Sequence, residues 1–139
     1  MDTPSKQIEA FVTVLLAAVA SDGVLTPGEA HSLREQLELR HPFSEMTKLE
    51  MAALFDSILS RLRSTATEVL VAEAITRLSF DQQESVLAVS AHLLHADGVV
   101  SPPEEEFLEH LITQVSLPRE HANMILLSIV ALNRDTLSR

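Results

Sequence analysis

Asp22-Gly-Val-Leu-Thr-Pro-Gly-Glu29 returns, altered but legible, as Asp97-Gly-Val-Val-Ser-Pro-Pro-Glu104, and these two stretches decide the fold. Each reads as the end of one helix and the start of the next. Glycine tolerates the left-handed backbone that closes a helix. The aspartate beside it suits a turn, because its carboxylate can accept a hydrogen bond from a nearby backbone amide. Thr or Ser followed three residues later by Glu is a capping box, in which each side chain satisfies the other's orphan amide. Proline between them sits at the first helical position, where its missing N–H costs nothing. Val24 and Val99 are expected to drop from the turns into the core.

Working outward at the same offset of 75, Val14 falls on Val89, Leu33 on Leu108 and Leu37 on Ile112. The match fades beyond that window, which indicates one duplicated helix–turn–helix element around 5–40 and 82–115 and not a solenoid. Two more capping boxes are predicted at Thr65-Ala-Thr-Glu68 and Asp81-Gln-Gln-Glu84. Thr3-Pro4 and Leu117-Pro118 mark further helix starts, and Pro42-Phe-Ser44 breaks the chain. Seven helices follow, at about 4–20, 27–40, 45–63, 66–78, 82–95, 102–115 and 118–133, with ends good to a few residues.

Apolar spacing supports them. Ile8, Phe11, Val12, Leu15, Leu16 and Val19 follow the i, i+3, i+4 rule in the first helix, whose opposite face holds Ala10, Thr13, Ala17 and Ala20. A helix apolar or small all round belongs in the middle of a bundle. The third helix has the stripe Met51, Leu54, Phe55, Ile58 and Leu62, and the sixth has Phe107, Leu108, Leu111, Ile112 and Val115. The seventh carries Ile125, Leu126, Leu127, Ile129, Val130 and Leu132, a wider arc than one core contact needs.

Length and composition agree with a single all-α domain over 1–139. The apolar residues are mainly Ala, Leu, Val and Ile, with five Phe and neither Trp nor Tyr. Absence of cysteine excludes disulfides, thiolate metal sites and cysteine nucleophiles. A formal charge of −10 argues against nucleic acid, which needs a basic patch for its phosphates. The first residues do not resemble a signal peptide, and the longest uncharged stretch, Ala10–Ser21, is too short to span a bilayer. A cytoplasmic protein is expected.

The two windows Ala20-Ser21-Asp22-Gly23-Val24-Leu25-Thr26-Pro27-Gly28-Glu29 and His95-Ala96-Asp97-Gly98-Val99-Val100-Ser101-Pro102-Pro103-Glu104 resemble the TerB-like family, named for bacterial tellurite-resistance proteins. Ser21 departs from the alanine that usually precedes the Asp-Gly, and Ala96 keeps it. The resemblance implies an all-α fold with a pseudo-two-fold pair of helical hairpins. It also implies a role in stress-response complexes, with divalent-cation binding at the acidic turns. Tellurite itself is only weakly implied.

Asp22, Glu29, Asp97 and Glu104 are accordingly the candidate metal ligands, for Ca²⁺ or Mg²⁺. One turn offers only two carboxylates and lacks the Asp ladder of an EF-hand. Both turns would have to pack together for four to converge. The competing reading is structural, since capping accounts for each Glu and turn formation for each Asp. His92-x-x-His95-x-Asp97 is a second string, but Zn²⁺ would need a further ligand, such as Glu106 or His110. Otherwise these are solvent-facing histidines. Glu104, Glu105, Glu106 and Glu109 read as favourable charge at a helix N-terminus plus a solvated face.

No nucleophile elbow, phosphate loop or metalloprotease motif is present, so no catalytic residue is assigned and an enzyme is not expected. The expected role is a binding module for stress response or assembly. The alternative is a scaffold domain with no metal. A protein partner of basic character fits the acidic surface, and membrane association is expected only through a partner. The oligomeric state stays open.

Overall fold

A computed structural model describes residues 4–96 and 98–137. Among them are seven α-helices and no strand: α1 (Pro4–Val19), α2 (Pro27–Glu38), α3 (Lys48–Ser64), α4 (Thr67–Thr76), α5 (Phe80–His95), α6 (Pro102–Gln114) and α7 (Arg119–Leu132). A short 3₁₀ turn, Phe43–Glu45, fills the break after Pro42.

α1 is the central helix. Every residue from Ala10 to Val19 is buried, and α2, α3, α4, α5 and α6 all pack against it. Leu15 and Leu16 point about 100° apart on a helix, yet both are fully enclosed, so neighbours must cover more than one side. Thr13 is tolerated there because its hydroxyl donates to the Glu9 carbonyl at 2.7 Å. The α3 and α6 stripes also lie inward: Met51, Phe55, Ile58, Leu108, Leu111 and Val115 are buried, and Leu54, Leu62, Phe107 and Ile112 are partly so.

α5 and α7 run in the same direction. His121 meets Glu84 near their N-terminal ends at 2.5 Å, and the Asn133 amide nitrogen meets His92 Nδ1 near their C-terminal ends at 3.2 Å. Of α7, only Ala122 is fully buried. Met124, Leu127 and Leu132 stand exposed, so much of the wide apolar arc of this helix faces outward.

The helix starts differ from expectation at two places. α4 begins without a side-chain cap, after Ala66, because Thr65 is used to end α3, its N–H donating to the Arg61 carbonyl. α5 starts earlier than Asp81: its box is Ser79 with Gln82, a serine-x-x-glutamine pattern equally present in the sequence. The earlier start lets Gln83 turn inward. Its amide nitrogen donates to the Leu78 carbonyl at 3.0 Å, and its oxygen accepts from Ser116 N–H at 2.7 Å. Thr47 with Glu50 forms a further box that opens α3. Among the described residues no helix is long and apolar enough to cross a membrane.

Candidate metal centre

The turns after α1 and α5 are built alike locally. Gly23 N–H donates to Ala20 O at 2.9 Å, and Gly98 N–H donates to His95 O at 3.0 Å. Both glycines adopt the left-handed region, at φ +92° and +84°, as a helix-closing glycine should. The valines that follow correct one expectation. Val24 is 60% and Val99 71% exposed. On the first turn the Val24 amide is held by the Asp22 carboxylate, and Leu25 packs against the core instead.

Both capping boxes at the second halves of these turns form. Thr26 N–H donates to Glu29 Oε1 at 3.0 Å while Glu29 N–H donates to Thr26 Oγ1 at 3.1 Å. Ser101 N–H donates to Glu104 Oε1 at 2.8 Å, and Glu104 N–H to Ser101 Oγ at 3.4 Å. Asp22 behaves as the turn residue expected, its Oδ1 accepting from Val24 N–H at 3.1 Å.

These three side chains meet. One carboxylate oxygen each from Asp22, Glu29 and Glu104 lie within 4.8 Å of one another. Asp97 lies outside the described residues. The chain thus joins both carboxylates of the first turn to the glutamate of the second, across a long sequence separation.

Their burial is graded. Asp22 is exposed, Glu29 half-buried and Glu104 only 6% exposed. That last figure corrects the picture of Glu104 as part of a solvated run; Glu105, Glu106 and Glu109 do face solvent. No basic side chain pairs with any of the three among the described residues. Glu104 has two further carboxylates beside it, and the hydrogen bond its side chain accepts comes from the Ser101 amide.

Capping leaves each carboxylate one oxygen to spare. A carboxylate has two oxygens and about four acceptor directions. Each of the three commits one oxygen to a backbone amide, and the other accepts no hydrogen bond among the described residues. Oxygen-only donors with negative charge suit a hard cation. Oxygens that lie within 4.8 Å of one another are compatible with the shell of either Ca²⁺ or Mg²⁺.

Among the described residues the histidine string forms no second centre, and its Asp97 lies outside them. His92 is engaged with Asn133, and no group of three metal-ligating side chains other than the acidic one occurs among the described residues. Glu106 and His110 are both exposed on α6. No family model, curated protein or solved structure matches the chain.

Proposed function

We propose that the chain is a TerB-like, non-enzymatic helical module whose two related Asp-Gly turns bind one divalent cation, Ca²⁺ or Mg²⁺. The observation that carries this is Glu104, a buried carboxylate beside two others with no basic partner. Asp22, Glu29 and Glu104 would supply three oxygens, and water would complete the shell, since Ca²⁺ takes six to eight. The repeated windows and their identical Gly-to-carbonyl hydrogen bonds support pseudo-symmetric hairpins of the TerB-like kind. The wider role in a cytoplasmic stress-response or assembly complex follows from the resemblance.

Thermal melting after EDTA treatment, then in millimolar CaCl₂ or MgCl₂, tests the cation. A ligand at about 100 times its Kd stabilises by about 2.7 kcal/mol. For a chain of this size that is a rise of roughly 8 °C in Tm. A melting curve that millimolar calcium leaves in place would end the cation reading. It would favour the scaffold alternative, to which the completed capping boxes also lend support.

A further inference from the structure

A groove with a volume of about 960 Å³ runs between the C-terminal part of α1, α3, α4 and α6. Its apolar lining comes from Leu25, Leu59, Leu62, Val71 and Phe107, on four different segments of the chain. Glu68 of α4 and Glu106 of α6 contribute exposed carboxylates to it, and neither forms an ion pair among the described residues. Arg63 is the one lysine or arginine among its lining residues. Ser21, Gly23 and Pro103 also belong to its wall, so the groove adjoins the turns that carry the Asp22, Glu29 and Glu104 carboxylates.

We infer that this groove is a docking site for a basic amphipathic helix of a partner protein. The apolar lining would receive side chains at i, i+3, i+4 and i+7, and Lys or Arg at the flanks would meet Glu68 and Glu106. Helical form follows from the walls. They are mostly flanks of α-helices, and no strand occurs among the described residues, so the groove offers no strand edge to an extended peptide. A bound helix satisfies its own backbone. The basic character follows from the unpaired rim carboxylates and from the adjoining acidic cluster, which together outweigh Arg63. One further group lacks a partner: Gln114, whose amide nitrogen donates to the Glu68 carbonyl at 3.2 Å, has a buried oxygen without a donor.

The inference rests on the assembly half of the function proposed above and not on the cation. The test is therefore run in EDTA, so that absence of metal binding leaves it intact. The probe is a fluorescein-labelled Leu/Lys model peptide of about 18 residues, long enough for five helical turns, with leucines on one face. Its counterpart replaces every Lys by Glu. Fluorescence anisotropy with the full chain should show saturable binding of the Leu/Lys peptide, and binding of the Leu/Glu peptide at least about tenfold weaker. The exposed double variant Glu68→Lys/Glu106→Lys should weaken the first peptide about tenfold while retaining wild-type helicity. Glu35→Lys/Glu120→Lys makes the same change in net charge on α2 and α7 and should leave affinity within about twofold, because neither residue lines the groove. Equal binding of the two peptides, equal losses from both double variants, or no saturable binding would overturn the proposal. So would loss of binding in Leu127→Glu, which would place the peptide on the exposed face of α7.

Discussion

Replacing Glu104 by Gln should raise stability without metal, and calcium should shrink that advantage over wild type. The substitution keeps the cap, because glutamine already performs the same task at Ser79, whose N–H donates to Gln82 Oε1 at 2.8 Å. What changes is one negative charge, 6% exposed, with carboxylate oxygens of Asp22 and Glu29 within 4.8 Å. Two unit charges at that separation repel by about 0.9 kcal/mol in water and about 3.5 kcal/mol at an effective dielectric constant of 20. Asp22 is exposed and Glu29 half-buried, so the lower end governs. Salt relieves little of this, since the Debye length at 0.1 M is about 10 Å. Relief of about 1–3 kcal/mol should therefore raise Tm by roughly 3–9 °C in EDTA. In saturating Ca²⁺ the wild type gains about 2.7 kcal/mol at 100 times its Kd, while the variant, with one of three ligands weakened, gains less. The variant's lead in EDTA should therefore shrink in calcium by the difference between the two gains. Differential scanning calorimetry in both buffers reads this directly. A variant less stable in EDTA, by the same offset in calcium, would refute both the electrostatic argument and the cation.

Gln83→Leu removes the acceptor of Ser116 N–H from a buried position, and should cost about 1–3 kcal/mol in urea unfolding. Gly23→Ala and Gly98→Ala should each destabilise by about 1 kcal/mol through backbone strain alone, because a new Cβ meets nothing within 4 Å while φ is positive. Gly28→Ala should do the opposite, gaining about 0.5–1 kcal/mol, since Gly28 is helical and its Cβ would lie 3.9 Å from Thr26 Oγ1. The Thr47 backbone amide, and after it the Thr47 side chain, hold the Glu50 carboxyl below its ordinary value of 4.5. Its contribution is present above the unfolded pKa and is lost as pH falls through the lowered folded value. The Tm difference between wild type and Glu50→Gln should therefore be present at neutral pH and vanish on acidification.

Helix number and order were legible because their signals are local. A capping box, a proline at the first helical position and a closing glycine act within a few residues, so Thr26, Ser101, Gly23 and Gly98 do what their neighbours require of them. The errors arose where two local signals competed. Thr65 could open α4 or close α3, and Ser79 stood as near to the start of α5 as Asp81 did. At such places a buried contact decides, here the inward turn of Gln83 toward Ser116. The exposure of Val24 and Val99 was likewise not readable, since it depends on how far each short turn stands from the core.

The sequence by itself determined an acidic, all-helical chain with two related Asp-Gly turns, and it named the carboxylates worth watching. Only the tertiary structure decided which of them meet. Periodicity and capping are properties of one segment, whereas the approach of Glu104 to Asp22 and Glu29 depends on how helices distant in sequence pack around α1. Burial has the same origin. Four glutamates within six positions look alike on paper, and packing leaves Glu105, Glu106 and Glu109 in solvent while enclosing Glu104 beside two other negative charges.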